Sequence, residues 1–521
     1  MITLMVLKKT LRAITRILLS TFFLLFFLEA VFYLAGVPPA SNEFVETTVL
    51  REKLPVRKLK GEIRVFTYGE STMQGAQYSP ISSPGKWLGI YLKEFLPGRN
   101  IRRVGFARMG HASYFTYQVF RDTLVYKPDI AIFYLGHNDF LPGERKDEVL
   151  AKDNGISFRL GNFVLRSRFV AYFYRLGLAR KVKRKLYKGD QIRRENVETP
   201  PRGNAGAVVV PGKDPFYWEN IEFFKQNLSK IRALAGKHHV TILFFRPVSN
   251  LKDFSPSESV HIKSLTPEEL AQWEKAYGSG TKAEAAGNRQ GALIAYRAAH
   301  AIDDTYAELS FRLGQIEFKN GELQKAKELF EEARDHDAVI VRATKDVLAA
   351  LDDFAKTEDV PLVDMEKLLL SEAPGGIMGH PIIEDNVHLS IKGHAILGRS
   401  MAEEIAARNW IAPLAEWRFE REKSYDEILQ ELGVTKDLLF NAYLDFADYF
   451  GSRFESRILF AEKALGVYPD HPLGLRQLAW SCWLKGDREK ALSLYHRLKE
   501  VHPEALEEVF RNQPEIKKFF G

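Results

Sequence analysis

A serine hydroxyl becomes a useful nucleophile near neutral pH only with a base in hydrogen-bond reach and an orienting group behind that base. Two distant stretches of this chain carry those three residue types. Arg64-Val-Phe-Thr-Tyr-Gly-Glu-Ser71 is an apolar run that stops at a glycine and delivers Ser71 on the next turn. Glu384-Asp-Asn-Val-His388 puts Asp385 and His388 on one short segment, as orienter and base. Between them, Gly110 in Arg108-Met-Gly-His-Ala-Ser113 offers a backbone amide with no side chain in front of it, and Asn138 in Gly136-His-Asn-Asp139 offers a side-chain amide. With the amide of Ser71, these three donors could hold an oxyanion. The chemistry they suit is acyl transfer through Ser71, His388 and Asp385.

These residues need a scaffold that brings both ends of the chain together. Short apolar segments at Ile63 to Tyr68, Ile101 to Phe106, Ile130 to Leu135, Thr241 to Arg246 and Pro361 to Val363 alternate with longer helical patterns. That rhythm predicts an α/β fold with a parallel five-stranded sheet, flavodoxin-like, in a three-layer α/β/α sandwich. Ligands in such sheets bind at the carboxyl ends of the strands, where strand order reverses. Ser71, Gly110 and Asn138 each follow one of those ends. A helix from Ile391 to Ala407 follows His388.

The N-terminus is of another kind. Lys8, Lys9, Arg12 and Arg16 precede an apolar run from Ile17 to about Ala35 with a single charge, Glu29. A run of this length fits a transmembrane helix better than the shorter apolar core of a cleaved signal. The basic cluster before it places the N-terminus in the cytoplasm and the chain after Val37 outside. The expectation is a single-pass protein of a bacterial inner membrane with its bulk in the periplasm. Cys482 is the only cysteine, so neither an internal disulfide nor a thiolate metal cluster can form. The 521 residues suggest two to four domains, and a charged fraction of 27% is ordinary for a globular protein. The net charge of +7 comes without zinc-finger spacing, ribonucleoprotein aromatics or a basic heptad helix, so nucleic acid is not the expected partner.

Two segments break the α/β rhythm. Leu141 to about Asn220 contains the basic run Arg175 to Lys188, preceded by Phe169, Tyr172, Phe173 and Tyr174. It reads either as a solvated helix face or as a cationic, aromatic-flanked cap against anionic lipid or glycan near the anchor. A Pro/Gly-rich loop from Thr199 through Pro211 follows. The second break, Ala307 to Ala333, resembles a tetratricopeptide unit: Leu313-Gly314, Gly321, Ala326, Phe330 and Ala333 stand at that family's offsets. Gly287, Ala292, Tyr296 and Ala299 give a preceding copy. A second pair lies near the C-terminus, at Leu478-Ala479, Gly486, Ala491, Tyr495 and Pro503, with Ala464 and Pro469 marking a weaker copy before it. Three or more stacked repeats usually share a core, so each pair is expected to stack on the other or on the α/β domain. The expected division is an anchor over 1–40, a hydrolase-like domain over 41–260 and 338–412, inserted repeats over 264–337 and C-terminal repeats over 413–521.

The ordered set of Ser71, Gly110, Asn138 and Asp385-x-x-His388 resembles the blocks of the SGNH (GDSL-like) hydrolase superfamily, and Arg246 to Pro256 looks like the strand-end segment of a bacterial branch that also carries tetratricopeptide repeats. The departure is Glu70, where the family usually has Asp before the serine; it leaves the triad intact but changes the turn. The resemblance implies a Ser71-His388-Asp385 triad, an oxyanion hole from Ser71, Gly110 and Asn138, and no metal or cofactor. His111, His137 and Asn250 border the expected pocket as candidate substrate contacts. Asp139 is expected to cap the turn after it, and His394 to face the sheet or solvent. The activity implied is a serine esterase acting on acyl esters of an envelope glycan or lipid. The alternatives are an O-acyltransferase for an exported polysaccharide, or an envelope scaffold that binds a protein partner through its repeats and whose hydrolase domain is weak or inactive.

Overall fold

The computed structural model describes residues 2–37, 43–141, 167–187, 209–210 and 212–520. Five parallel strands, β1 (Ile63–Gly69), β2 (Ile101–Ala107), β3 (Ile130–Tyr134), β4 (Thr241–Arg246) and β5 (Leu362–Asp364), form one sheet in the order β2-β1-β3-β4-β5. Strand order reverses at β1, which pairs with β2 on one side and β3 on the other. The sheet has the α/β/α arrangement expected from the sequence.

Side chains of successive strand residues point to opposite faces, and here both faces are covered. Val65 of β1 and Ile130, Ile132 and Tyr134 of β3 pack into one core with Trp87, Leu397 and Met401 from the helices Pro84–Phe95 and Ile391–Ala407. Phe66 and Tyr68 of β1 and Ala131 and Phe133 of β3 pack into the other, with Phe120, Phe224 and Leu351 from the helices Ser113–Thr123, Pro215–His238 and Lys345–Thr357. The first two helices lie close enough that a Cβ on Gly398 would come within 2.6 Å of Trp87 Cβ and 2.9 Å of the Pro84 carbonyl oxygen. All five residues of β3 are buried, as a central parallel strand requires.

Between β4 and β5 the chain inserts two antiparallel helix pairs, Pro267–Ala285 with Arg289–Ile302 and Ala307–Lys319 with Leu323–Asp335. Their small residues allow close approach: a Cβ on Gly280 would lie 2.3 Å from the Tyr296 ring, and one on Gly314 2.8 Å from Phe330. The first pair and the helix Ala307–Lys319 share a core around Trp273, Tyr296 and Leu313, while Ala326 and Phe330 of the second pair pack on Leu251 and Ile377 of the α/β domain. The C-terminal helices, from Tyr425–Leu432 through Pro514–Lys517, share one continuous core with the sheet face that carries Val65. Each repeat region therefore completes itself on the α/β domain.

At the N-terminus, Ile2–Leu34 is one helix, of which Ile14–Leu34 forms a 21-residue stretch of mean hydropathy 2.3. Among the described residues it is the one helix long and apolar enough to cross a membrane. A 20-residue helix, Arg168–Tyr187, contains most of the basic run, whose side chains are described only as far as Arg180. Most of the Thr199 to Pro211 loop lies outside the described residues.

Candidate active site

The turn that presents Ser71 depends on a glycine. Gly69 ends β1 with φ +151°, and a Cβ there would stand 2.1 Å from the Tyr134 carbonyl oxygen, so no other residue fits between β1 and β3. Ser71 then opens a short helical turn, Ser71–Gln74, and is 5% exposed. Two loops close on this turn. The Thr72 hydroxyl donates to the Val387 carbonyl oxygen at 3.1 Å, and the Met109 amide donates to Gln74 Oε1 at 2.5 Å. The residues beside the nucleophile thus touch both the histidine-bearing loop and the glycine-bearing loop.

Glu70 is where the geometry answers a question that the sequence raises. Its carboxylate is fully buried and accepts the backbone N–H groups of Gly136 at 3.0 Å, His137 at 3.0 Å and Asn138 at 3.4 Å. The longer side chain spans from the serine turn to the asparagine loop and fixes the two together. Burial, and then the neighbouring Asp139 carboxylate, push Glu70 up to about 8, against the pull of the three amides. Asp139 bonds to another element. Its Oδ1 accepts from the amide of Ser113 at 3.3 Å and from the Ser113 hydroxyl, at the start of the Ser113–Thr123 helix, whose preceding residue Ala112 has no side chain able to cap it.

Asp385 and His388 meet as their spacing requires. Asp385 is wholly buried; its Oδ1 accepts from the amides of Val387 at 2.9 Å and His388 at 2.8 Å, and its Oδ2 from His388 Nδ1 at 2.5 Å. Burial alone would raise this carboxyl, but the His388 ring and the two amides outweigh it and hold Asp385 below its ordinary value. With Nδ1–H committed to Asp385, the imidazole has its lone pair on Nε2. His388 Nε2 is buried and has no hydrogen-bond partner, so the Ser71–His388 bond of a closed triad is not made in this structure.

Gly110 is exposed, has φ +74°, and has nothing within 4 Å of where a Cβ would stand. Asn138 Nδ2 donates to the His111 carbonyl oxygen at 3.1 Å, tying the glycine loop to the asparagine loop and leaving its second N–H for another acceptor. The fold thus gathers Ser71, Gly110, Asn138, Asp385 and His388 at the carboxyl end of the sheet, around the point where strand order reverses.

The flanking residues separate. His111 stacks on Phe115 with ring centroids 3.8 Å apart and remains half-buried at the site. His137 is buried, accepts the Ala343 amide at Nδ1 at 3.1 Å, and is pushed down to about 3 by burial and then by His388. It is therefore a neutral ring with its proton on Nε2. Asn250 does not present its amide to a pocket. It is fully buried, its Oδ1 accepts from the Asp253 amide at 2.8 Å and its Nδ2 donates to the Ile383 carbonyl oxygen at 3.3 Å, so it stitches the β4 exit to the histidine loop. His394 does not face solvent: it is buried against Tyr78, with Nδ1 3.1 Å from the Ser82 hydroxyl, and is pushed down to about 3 by burial.

A further group gathers around Glu384. This buried carboxylate accepts the Tyr78 hydroxyl at 2.5 Å and lies 3.6 Å from Lys463 Nζ of the C-terminal helices. Burial raises its carboxyl, with Lys463 and Tyr78 opposing. Tyr449 donates to Asn386 Oδ1 at 3.5 Å, and the Ser456 hydroxyl donates to the Asp253 carbonyl oxygen at 3.3 Å and lies 3.4 Å from His380 Nε2. The only sequence signal was that Glu384 adjoins Asp385; its partners lie far away along the chain.

No protein-family model and no curated protein matches the chain. Among solved structures, the chain is similar to GDSL-like acylhydrolases. A GDSL-like lipase from Bacteroides thetaiotaomicron is 12% identical with a TM-score of 0.30, over 70% of this chain and 98% of that one. A putative acylhydrolase from Bacteroides fragilis is 13% identical with a TM-score of 0.31, over 71% and 100%. The TPR protein YrrB, described as having an unusual peptide-binding site, is 13% identical with a TM-score of 0.15, over 47% and 95%.

Proposed function

We propose that the protein is a serine esterase of the SGNH type. In this reading its N-terminal helix holds it in a bacterial inner membrane with the bulk of the chain periplasmic, where it removes acyl groups from an envelope glycan or lipid. The observation that carries the reading is the Asp385–His388 pair at 2.5 Å, with an unpartnered Nε2, on a loop bonded through Val387 to the residue after Ser71.

The reaction follows from the donors present. His388, oriented by Asp385, takes the Ser71 proton as Oγ attacks an ester carbonyl. The amides of Ser71 and Gly110 and the second N–H of Asn138 hold the resulting oxyanion. His388 returns the proton to the leaving alcohol, and water, activated by the same imidazole, releases the acid. The Ser71–His388 bond closes as substrate binds, since catalytic hydrogen bonds are often long in the empty site.

A serine-reactive phosphonate tests activation without knowledge of the substrate. The full chain in detergent should be labelled at Ser71, and Ser71→Ala should abolish both labelling and turnover of a short-chain aryl ester. Turnover that survives Ser71→Ala would sink the proposal. Product analysis with an acyl donor and a glycan acceptor separates hydrolysis from transfer.

A further inference from the structure

We infer that the Arg168–Tyr187 helix is an interfacial helix, seated in the headgroup layer of the bilayer that the anchor crosses, on the side of the catalytic domain. This rests on the anchor reading above, and it begins with Glu29, the one acidic residue within Ile14–Leu34. A carboxylate inside an apolar span is costly unless bound. Glu29 is bound by the start of another helix: its carboxylate accepts the Ser167 hydroxyl at 3.0 Å, the Arg168 amide at 2.8 Å and the Phe169 amide at 3.4 Å.

That cap fixes a depth. A helix rises about 1.5 Å per residue, so Glu29 lies roughly 7–8 Å inside the Leu34 end of the span. Its partners must sit at the same level, and the first turn of the second helix therefore enters the membrane with it. The contacts around the cap suit that environment. Phe32 packs against Phe169 at 5.8 Å and Tyr172 at 5.1 Å between ring centroids, and the Arg168 guanidinium lies 4.9 Å from the Tyr33 ring centroid. Aromatic and basic side chains of this kind favour the membrane–water interface.

The helix also has a side that protein does not cover. Tyr172, Phe173 and Leu176 are 40%, 54% and 39% exposed. Another side meets the globular domain, where Arg175 pairs with the buried Glu46 at 2.7 Å. The helix is thus held between the anchor and the domain with Tyr172, Phe173 and Leu176 uncovered. The bilayer occupies that space because the cap is continuous with the span. The sequence then runs on through Arg180, Lys181, Lys183 and Arg184, which suits anionic headgroups. Seated this way, the helix sets the height and tilt of the catalytic domain over the membrane.

The test uses the full chain in a Cys482→Ala background, reconstituted into vesicles of phosphatidylethanolamine and phosphatidylglycerol with and without spin-labelled lipid. A fluorophore is placed by Phe173→Cys, or in the span by Leu25→Cys. Lipid quenching at position 173 within about two-fold of that at position 25 is expected for interfacial seating. Adding Glu29→Ala should reduce quenching at 173 while leaving 25 unchanged. Quenching at 25 but not at 173 overturns the interfacial helix and spares the anchor. Absence of quenching at both positions overturns the anchor and the inference with it. Protection of position 173 that depends on protein concentration and not on lipid overturns the inference in favour of contact between copies.

Discussion

The two tetratricopeptide-like regions look alike in sequence and are built into the molecule differently. The inserted pairs keep a core of their own around Trp273 and Tyr296 and touch the α/β domain chiefly through Ala326, Phe330, Gln315 and Lys327. The C-terminal helices share the core of the sheet and bond to the segment that carries Asp385 and His388. Repeat sequences specify how two helices pack together, and that packing is local. What else a repeat region controls depends on the surface it lands on. The C-terminal helices land on the base of the proposed triad.

Core truncations should separate the regions most sharply. Phe460 is fully buried between Phe446, Phe450 and the His380 ring, and Tyr296 is fully buried in the inserted core. Phe460→Ala and Tyr296→Ala should each cost about 3–5 kcal/mol. Only Phe460→Ala should also depress ester turnover in the fraction that remains folded. Equal losses of turnover, measured beside chemical denaturation, would erase the distinction.

A smaller effect should follow from the Lys463–Glu384 contact at 3.6 Å. Lys463→Met leaves the Glu384 carboxyl with only Tyr78 and raises it further, at a cost of about 1–3 kcal/mol. We expect a fall in kcat for an aryl ester from a displaced His388. The matching change on the other side, Gln315→Ala, removes a bond to the Lys252 carbonyl oxygen and should leave kcat unchanged. If both variants keep full kcat, the C-terminal contacts are structural only.

Acid should also act through this interface. His380, between Ile383 and Ser456, is pushed down to about 4, first by burial and also by Lys463. A depressed histidine is neutral in the folded protein and takes up a proton on unfolding. Its contribution to stability is therefore present above the ordinary value of 6.5 and is lost as pH falls from there toward 4. His137 and His394 have the same sign, with folded values near 3. The melting temperature should drop between pH 7 and pH 5, and His380→Gln should reduce that slope. An unchanged slope would remove His380 from the account.

The smallest effect belongs to the inserted side. Lys327 pairs with Glu366 on a partly exposed surface, and such pairs are worth less than about 1 kcal/mol. Lys327→Met should leave both stability and turnover within that margin, and a loss of turnover would show that the inserted repeats also reach the site.

Much of this architecture could be read from the residues. The strands at Ile63, Ile101, Ile130 and Thr241 show as short apolar runs, because a parallel sheet buried on both faces needs them. Asp385 and His388 are legible because their contact is local, made within one loop. Asn250 misled because a polar residue after a strand end looks the same whether it faces a ligand or holds a loop; only its bonds to Asp253 and Ile383 show which. Asp139 and His394 show the same limit, since each meets a partner on another element, Ser113 and Ser82.

The sequence by itself determined the order of strands and helices, the apolar N-terminal span, the helix pairing within each repeat, and the residue types available for acyl transfer. Those are properties of periodicity and of near neighbours. Tertiary structure alone decided what Glu70 does, which repeat region holds the histidine loop, and that Glu29 caps a helix more than a hundred residues away. Glu70 and Glu384 are buried carboxylates and Glu29 is a half-buried one, and the partners of all three are distant in the chain. A carboxylate's cost of burial is met only where donors converge, and their convergence is set by the fold.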